Sequence, residues 1–533
     1  MENALLQVQD LTVAFKDEKV VDGISFEVNA GETFALVGES GSGKSITALS
    51  ILRLLPANAN FFAQQMMLDG KDLLSIAEID FCMVRGKRIG FIFQDPMSSL
   101  NPVMTIGEQI AEVMQIHFNY SKDELAHAVS ELLHQVEIPE PDRRANEYPH
   151  QLSGGQRQRV MIAIALAGKP DLLIADEPTT ALDVTIQAQI LQLLKSIQEK
   201  TGMALWLISH DLALVSNMAD RIAVMQQGKI VETNTSAQFF KHAEHPYSQK
   251  LLAALPSMES CINKTANNET EKLLQVEDFK VYYPIRKGFF KRIVDYVRAV
   301  DGVSFQLQQG KTLALVGESG CGKTTLGKGL INLIPHTGGT VLFNGIDLTK
   351  LDREALRRKR SEIQIIFQDP FSSMNPRMLV GGIIEEGIKA LYPETGLEDR
   401  KQRVGMLLEQ VDLPQSSAMR YPHEFSGGQR QRICIARALA VEPKLIICDE
   451  PTSALDVSVQ AQIIDLLKNL QKTNGISYLF ITHDLAVVAE IADEVAVMYQ
   501  GEIVEHGEVR QVLTNPVHAY TCKLLDAVPR IGR

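Results

Sequence analysis

The stretch VGESGSGKS at residues 37–45 decides the fold, because it recurs almost unchanged as VGESGCGKT at residues 316–324. Further blocks recur in the same order, and their pairs are FQDPMSSLNP (93–102) and FQDPFSSMNP (367–376), SGGQRQR (153–159 and 426–432), DEPTTALDV (176–184) and DEPTSALDV (449–457), and SHDLA (209–213) and THDLA (482–486). Five blocks repeated in one order indicate an internal duplication. The chain therefore consists of two similar halves.

A polar segment separates the two halves. The sequence MESCINKTANNETEK at residues 258–272 has no apolar periodicity and predicts a linker. We therefore expect a first domain over residues 1–257 and a second over residues 273–533. Each half, at about 260 residues, is near the upper end for one domain.

Short apolar runs precede the repeated motifs. TFALVG and TLALVG precede the Gly-rich loops, LLIAD and LIICD end at acidic pairs, and ALWLIS and SYLFIT precede the histidines. They predict buried parallel strands, whereas GEQIAEVMQ and KDELAHAVSELLHQV, between residues 100 and 150, predict helices. The pattern indicates an α/β fold in each half, with a mainly parallel sheet and an added helical subdomain.

The two Gly-rich loops match the Gly-x4-Gly-Lys-Ser/Thr pattern that binds phosphate groups. Their glycines let backbone N–H groups converge on phosphate oxygens, and the following helix directs its positive end at them. In such loops the lysine reaches the β- and γ-phosphates of ATP, and the hydroxyl after it binds Mg²⁺. The loop residues are Gly38, Glu39, Ser40, Gly41, Ser42, Gly43, Lys44 and Ser45, and Gly317, Glu318, Ser319, Gly320, Cys321, Gly322, Lys323, Thr324 and Thr325.

An acidic pair ends one apolar run in each half. Asp176 and Asp449 are at the predicted strand ends, where a carboxylate can hold Mg²⁺ directly or through water. Glu177 and Glu450 follow, and a carboxylate there can polarise water for attack on the γ-phosphate. Both halves contain the loop lysine, the hydroxyl after it and the Asp-Glu pair, so we expect both to hydrolyse ATP.

The segments LSGGQ (152–156) and FSGGQ (425–429) resemble the signature of the ATP-binding cassette superfamily, and the resemblance covers nearly the whole chain. It implies that each signature contacts the γ-phosphate held by the opposite cassette. The first signature would complete the site of the loop that begins at Gly317, and the second the site that begins at Gly38. The signature residues are Ser153, Gly154, Gly155 and Gln156, and Ser426, Gly427, Gly428 and Gln429.

The resemblance implies further site residues. The expected roles are Mg²⁺ or water contact for Gln94 and Gln368, γ-phosphate contact for His210 and His483, an interface carboxylate for Asp183 and Asp456, and adenine stacking for Phe15 and Tyr283. In the second half the insertion PIRKGFFKRIVDYV offers Tyr296 as a rival to Tyr283. The expected metal ligands are Ser45, Gln94, Asp176, Thr324, Gln368 and Asp449.

Extended strings narrow the resemblance. FQDPxSSxNP, YPHQLSGGQRQRV (148–160), YPHEFSGGQRQRI (421–433), HPYSQKLLAALP (245–256) and HAYTCKLLDAVP (518–529) are similar to the ATPases of oligopeptide, dipeptide and nickel importers, in the fused peptide and glutathione branch. The resemblance implies one peripheral chain on the cytoplasmic face of the inner membrane. It would work with two permease subunits and an extracytoplasmic solute-binding protein to take up peptides.

Charge, apolar runs and cysteine spacing disfavour several classes of protein. The net charge of -12 disfavours a nucleic-acid partner. The N-terminus MENALLQVQD does not predict a signal peptide, and no apolar run reaches the length of a membrane span. The six cysteines form no CxxC pair, and after 245–256 only Cys261 precedes the linker, so we expect no iron–sulfur cluster.

The sequence disfavours three functions other than import. The first, a soluble twin-cassette ATPase acting on ribosomes or nucleic acid, would carry a long charged linker or zinc-binding cysteines, and the sequence has neither. The second, an exporter ATPase, is disfavoured by the peptide-importer strings. The third, a non-hydrolysing regulatory module, conflicts with the two intact Glu and His sets.

Overall fold

The computed structural model describes residues 4–16, 18–179, 182–261, 271–287, 292–453 and 455–528. The chain divides into two compact units, the first built mainly from Met1–Leu255 and the second from Pro256–Leu455 and Val459–Val528. Each unit contains two sheets and a set of helices.

The described strands of the first unit are β1 (Ala4–Phe15), β2 (Glu18–Asn29), β3 (Thr33–Val37), β4 (Ala59–Phe62), β5 (Gln65–Leu68), β6 (Lys71–Asp72), β7 (Ile89–Ile92), β8 (Leu172–Asp176), β9 (Ala204–Ser209), β10 (Arg221–Gln226) and β11 (Lys229–Thr235). Its helices are α1 (Lys44–Ile51), α2 (Glu78–Phe81), α3 (Pro96–Ser99), α4 (Ile106–His117), α5 (Lys122–Gln135), α6 (Pro141–Arg144), α7 (Gly154–Leu166), α8 (Val184–Thr201), α9 (Leu212–Ser216), α10 (Ser236–Lys241) and α11 (Pro246–Ala253).

The described strands of the second unit are β12 (Lys272–Lys287), β13 (Arg292–Gln308), β14 (Thr312–Val316), β15 (Gly338–Phe343), β16 (Ile346–Asp347), β17 (Ile363–Ile366), β18 (Leu445–Asp449), β19 (Ser477–Ile481), β20 (Glu494–Tyr499) and β21 (Glu502–Glu508). Its helices are α12 (Lys323–Leu330), α13 (Arg353–Lys359), α14 (Val380–Leu391), α15 (Leu397–Gln410), α16 (Gly427–Leu439), α17 (Val457–Asn474), α18 (Leu485–Ile491), α19 (Val509–Thr514) and α20 (Ala519–Asp526). The described 3-10 turns of the chain are Pro149–Gln151, Met258–Cys261, Leu348–Lys350, Gln415–Met419 and Pro422–Glu424.

The larger sheet of each unit is the predicted parallel sheet. Its strand order is β11-β10-β3-β9-β8-β7 in the first unit and β21-β20-β14-β19-β18-β17 in the second. Only β11 and β21 pair antiparallel to their neighbours. Every residue of β3, β8 and β9 is buried, which is why their sequences are continuously apolar instead of alternating.

The predicted helices after the glutamine motif are α4 and α5. Each begins with a capping box, in which Thr105 pairs with Glu108 and Ser121 with Glu124, so two backbone amides are satisfied at each N-terminus. Their apolar faces bury Ile110 in α4 and join the same core as the strands. The expectation of an α/β fold with an added helical subdomain is confirmed.

A second, antiparallel sheet in each unit was missed by the sequence analysis. It has the order β2-β1-β5-β6, with β4 also paired to β1, in the first unit and β13-β12-β15-β16 in the second. Buried residues in its strands tend to alternate with more exposed ones, and these strands lie outside the repeated motifs.

The beginning of the predicted linker is not a plain connecting chain. Met258–Cys261 forms a 3-10 turn, and Cys261 is buried in the core of the second unit together with Val488 of α18 and Val512 of α19. Met258 and Cys261 are three residues apart, which places both on one side of such a turn. Residues 262–270 of the predicted linker lie outside the described residues.

Candidate ATP sites

Four motifs meet at one edge of the parallel sheet in each unit. In the first unit the phosphate loop follows β3, the glutamine motif follows β7, the acidic pair ends β8 and the histidine follows β9. Because these strands are parallel neighbours, their carboxyl ends lie at the same edge. The same four motifs follow β14, β17, β18 and β19 in the second unit.

The first glycine of each phosphate loop is required by a close backbone approach. A Cβ atom on Gly38 would lie 2.2 Å from the carbonyl oxygen of Met225, and one on Gly317 would lie 2.2 Å from that of Met498. Both separations are far below van der Waals contact. The loop can therefore follow the neighbouring strand end only with glycine at this position.

The middle of each loop is open to a ligand. A Cβ on Gly41 would meet nothing within 4 Å, and helix α1 begins at Gly43 without any side-chain cap. The Ser42 Oγ atom is buried and has no hydrogen-bond partner among the described residues. Uncapped amides at a helix N-terminus together with an unpaired buried hydroxyl fit the binding of an anionic phosphate group.

The loop lysine lies folded back on its own loop. Lys44 Nζ donates to the carbonyl oxygens of Gly38 (2.8 Å) and Glu39 (2.9 Å). Lys44 is 5% exposed, and burial lowers its pKa although Glu177 nearby favours the charged form. Backbone carbonyl oxygens hold the buried ammonium, and a phosphate oxygen is a stronger acceptor for a charged donor than a neutral carbonyl.

The second loop repeats this arrangement. Lys323 Nζ donates to Gly317 O (2.7 Å) and Glu318 O (2.9 Å). Cys321 takes the place of Ser42, and burial raises the pKa of its thiol. The thiol of Cys321 therefore stays protonated within the second phosphate loop.

The hydroxyl and aspartate expected to bind Mg²⁺ are in contact in both units. Ser45 Oγ donates to Asp176 Oδ1 at 3.0 Å, and Thr324 Oγ1 donates to Asp449 Oδ1 at 2.8 Å. Burial raises the pKa of Asp176 to about 6, because the carboxylate has lost hydration, and it also raises the pKa of Asp449. A hydroxyl oxygen beside a buried, poorly hydrated carboxylate is a suitable ligand pair for a hard cation such as Mg²⁺.

A Gln–Glu–His cluster surrounds the expected attacking position in the first unit. Gln94 Nε2 donates to Glu177 Oε2 at 2.8 Å, and His210 Nδ1 lies 2.9 Å from Glu177 Oε1. Both carboxylate oxygens are thus held, one by an amide and one by an imidazole. The side chain of Glu177 is oriented from two directions at the strand edge.

The second unit builds the same cluster from its own residues. Gln368 Nε2 donates to Glu450 Oε2 at 2.8 Å, and His483 Nδ1 lies 3.3 Å from Glu450 Oε1. Burial is the largest single effect and opposes the charged forms, but the hydrogen bond and the electrostatic attraction between the two side chains, together with smaller contributions from neighbouring groups, outweigh it. Together they lower the pKa of Glu450 and raise the pKa of His483.

Both glutamates have a backbone conformation that sequence reasoning did not foresee. Glu177 has φ 47° and Glu450 has φ 48°, in the left-handed region that L-residues rarely occupy. Their N–H groups donate to Ile208 O and Ile481 O, each at 2.9 Å, which fixes the turn. Residues held in such conformations concentrate at functional sites.

The signature residues lie at the starts of two helices, α7 and α16. Ser153 caps α7 and Ser426 caps α16 by accepting from the amide three residues on. A Cβ on Gly155 would lie 2.9 Å from Ile186 Cγ2 of α8, so the glycine lets two helices approach. Among the described residues no hydrogen bond joins a signature to the phosphate loop of its own unit, and its role at the opposite cassette stays a prediction.

The interface aspartates precede long helices. Asp183 caps α8 by accepting from Ile186 N at 3.0 Å. Asp456 directly precedes α17 and accepts from Ser458 Oγ at 3.1 Å. Their proposed role across the cassettes also stays a prediction.

Strand register bears on the choice of adenine-stacking residue. In the first unit Val13 pairs with Val21 and Phe15 pairs with Glu18 at the end of the β1–β2 hairpin. In the second, Val281 pairs with Val300 and Tyr283 pairs with Val297. Counting from the matching valine pairs, Tyr283 occupies the position of Phe15. Tyr296 lies in the longer hairpin of the second unit, opposite Pro284.

Comparison with known proteins identifies the family. The ABC transporter family profile matches residues 21–180 and 300–453, and that of the oligopeptide/dipeptide transporter C-terminal region matches residues 231–284 and 504–533. No helix in the described parts of the chain has the length and apolar character needed to cross a bilayer.

Individual relatives agree with this match. The chain is 49% identical to the peptidoglycan transport ATP-binding protein YejF of Agrobacterium fabrum, covering 98% of this chain and 96% of that protein. It is 47% identical to the glutathione import ATP-binding protein GsiA of Escherichia coli, covering 98% of this chain and 89% of that protein. The dimeric ATP-binding cassette MJ0796 in a post-hydrolysis state aligns with 28% identity and a TM-score of 0.40, over 44% of this chain and 99% of that one. The family profile and the two full-length relatives show that the chain belongs to the ABC transporter family, as an ATPase subunit with two cassettes.

Proposed function

We propose that this chain hydrolyses ATP at both cassettes to drive the uptake of peptides across the cytoplasmic membrane. The cassettes are the predicted domains 1–257 and 273–533. The observation that carries the proposal is the duplicated Gln–Glu–His cluster beside a complete phosphate loop. Neither unit has lost a group that the chemistry requires.

The carboxylates of Glu177 and Glu450 serve as the bases. Each holds the water that attacks the γ-phosphorus and takes its proton as the bond to the leaving ADP oxygen breaks. A carboxylate oxygen accepts more than one hydrogen bond, so the contacts to Gln94 and His210 leave capacity for water. Those contacts aim the base before substrate arrives.

The lysines and the helix N-termini stabilise the phosphates. Lys44 Nζ has three N–H donors, so it can keep its carbonyl contacts and also donate to a phosphate oxygen when ATP binds, and the uncapped amides of α1 add further donors. A bound Mg²⁺, held by Ser45 and Asp176 with Gln94 nearby, would neutralise charge on the phosphate oxygens. The second cassette uses Lys323, Thr324, Asp449 and Gln368 in the same way.

Peptides are the proposed solute class. The match to the oligopeptide/dipeptide transporter C-terminal region and the similarity to proteins named for peptidoglycan transport and glutathione import support it. These compounds share peptide or peptide-like bonds. The ribosomal and nucleic-acid alternative has no support from these relatives.

The proposed partners follow from the same relatives. A relative of this chain is named for import, and import requires permease subunits in the membrane, so we propose two of them together with an extracytoplasmic solute-binding protein. The chain would then lie peripherally on the cytoplasmic face of the inner membrane. One chain carries both cassettes, so one copy per transporter suffices.

The proposal is tested by the uptake of labelled peptides into proteoliposomes in which the cassettes face the lumen. The transporter is reconstituted with ATP enclosed, and wild type is compared with the Glu177→Gln/Glu450→Gln double variant. We expect uptake of a di- or tripeptide only with wild type. Hydrolysis without uptake of any peptide, glutathione included, would contradict the solute class while leaving the ATPase intact.

A further inference from the structure

The HPY-like segments form a turn that is built identically in both units. In the first, Glu232 of β11 accepts from the amides of Glu244 (3.0 Å) and His245 (3.1 Å). His245 Nδ1 then accepts from the amide of Tyr247 at 3.2 Å and caps α11, whose first residue is Pro246. The sequence His-Pro-Tyr therefore supplies a cap, a helix start and a directed aromatic side chain.

The second unit repeats the turn without the proline. Glu505 of β21 accepts from the amides of Val517 (2.8 Å) and His518 (3.0 Å). His518 Nδ1 accepts from the amide of Tyr520 at 3.2 Å and caps α20. Since the geometry persists with alanine at the helix start, the histidine and the glutamate suffice to direct the tyrosine.

Each tyrosine hydroxyl contacts the phosphate loop of its own cassette. Glu39 N–H donates to Tyr247 OH at 3.2 Å, and Glu318 N–H donates to Tyr520 OH at 2.9 Å. Tyr247 is 7% exposed and Tyr520 is 8% exposed. Burial raises the pKa of Tyr247 to about 12, so the hydroxyl stays neutral and able to accept at physiological pH.

The peptide group that donates to the tyrosine is also the one whose carbonyl oxygen accepts from the loop lysine. The Gly38 carbonyl and the Glu39 N–H belong to a single planar peptide unit. Lys44 Nζ donates to that carbonyl at 2.8 Å while Tyr247 OH accepts from that N–H. Rotation of this peptide plane would break the hydrogen bonds to Tyr247 and to Lys44 together. The tyrosine therefore fixes the direction in which the Gly38 carbonyl points toward the lysine.

We propose that Tyr247 and Tyr520 are positioning residues for ATP binding, each orienting the first peptide group of its phosphate loop and through it the loop lysine. The inference rests on the proposed role of the two loops in holding ATP. It assigns a physical purpose to the HPY segment, which would otherwise be a packing helix.

The hydroxyls are removed in the full-length chain by the Tyr247→Phe/Tyr520→Phe double variant. We expect the Kd for a fluorescent ATP analogue and the KM for ATP to rise roughly three- to tenfold, as for the loss of one neutral hydrogen bond. The kcat should change by less than about twofold, because the lysine holds phosphate in both the ground and the transition state. Unchanged Kd and KM would overturn the proposal.

A double-mutant cycle separates positioning from structural support. In a Lys44→Ala/Lys323→Ala background the same Tyr→Phe changes should leave the Kd for the analogue unaltered, since the group that they position is gone. Full additivity of the two effects, or a fall in melting temperature that accounts for the lost affinity, would overturn the proposal.

The matched control is Tyr499→Phe. The ring of Tyr499 lies 4.3 Å from that of Tyr520, but its hydroxyl accepts from Gln500 Nε2 and not from the loop. The control should bind the analogue as wild type does. A control that matched the double variant would overturn the proposal, whereas a wild-type chain that bound no ATP would overturn the proposed function itself.

Discussion

The two cassettes agree at the carboxyl edge of the parallel sheet and differ at its amino edge. At the carboxyl edge, glutamine, glutamate and histidine make the same contacts in both units. At the amino edge of β7 and β8, Arg88 pairs with Asp171 and with Asp69. At the equivalent place in the second unit, Glu362 pairs with Lys444.

The difference teaches which constraints act on each edge. The backbone oxygen of Arg88 accepts from the amides of Asp171 and Leu172, at the start of β8. The backbone oxygen of Glu362 accepts from the two corresponding amides at the start of β18, so the two positions correspond in the fold. An ion pair needs only opposite charges, and its sign can therefore be exchanged without loss. A base that must hold water near a phosphate tolerates no such exchange, because both charge and reach are fixed by the substrate.

The matching carboxyl edges predict that the two sites hydrolyse ATP equivalently, and Glu→Gln substitutions test this. We expect the Glu177→Gln/Glu450→Gln double variant to lose roughly 100- to 10,000-fold in ATP turnover, because each base is lost while the shape is kept. Either single variant should also fall below wild type in a steady-state phosphate-release assay. Glu199→Gln on the exposed face of α8 serves as control. One single variant at full wild-type turnover would show that the sites are not equivalent.

Glycine substitutions test whether the phosphate loops are equally tight. Gly38→Ala and Gly317→Ala place a Cβ 2.2 Å from a carbonyl oxygen, whereas Gly70→Ala meets nothing within 4 Å at φ 73°. The control should lose about 1–2 kcal/mol of unfolding free energy from its left-handed backbone alone. The two loop variants should lose about 1–3 kcal/mol more, from overpacking, and should no longer bind ATP. Urea unfolding that ranked all three variants equally would contradict the geometry.

The hairpin difference between the cassettes sharpens the assignment of the adenine contact. With Gly38→Ala abolishing nucleotide binding at the first loop, Tyr283→Ala should weaken nucleotide binding at the second by about 1–3 kcal/mol, the range for loss of an aromatic stack on a base. Tyr296→Ala should leave it unchanged, since that residue lies beyond the position of Phe15. Titration of a fluorescent ATP analogue distinguishes them, and the opposite ranking would assign the contact to Tyr296.

Exchange of the ion pair should have the smallest effect. Arg88→Glu leaves three acidic groups together and should lower the unfolding free energy by about 1 kcal/mol. The triple variant Asp69→Asn/Arg88→Glu/Asp171→Lys reproduces the pair of Glu362 and Lys444, with asparagine at position 69 because Asn344 stands at the corresponding turn of the second unit. It should regain most of that loss. Failure of the triple variant to recover in urea unfolding would mean that the surroundings, and not the pair, set the sign.

Much of the fold could be predicted because its signals are local. Continuous apolar runs marked the buried parallel strands, and strand order then brought Lys44, Asp176 and His210 to one edge. Capping residues such as Thr105 and Ser121 are visible in the sequence and mark helix starts. These features depend on neighbours within a few residues.

The remainder depends on packing over long distances along the chain. The contact between Tyr247 and the loop joins residues that are 208 positions apart, and only docking of α11 creates it. The left-handed backbone of Glu177 likewise follows from its hydrogen bond to Ile208 of the neighbouring strand. The antiparallel sheet was missed because its alternating strands lie between motifs and carry no distinctive residues of their own.

The most direct test of the central claim is purification of the tagged full-length chain from membranes in mild detergent, followed by mass spectrometry of the proteins that accompany it. The account predicts two multi-span proteins in stoichiometric amounts with one copy of this chain. A chain recovered without any membrane protein, or together with ribosomes, would contradict its assignment as the ATPase of an importer.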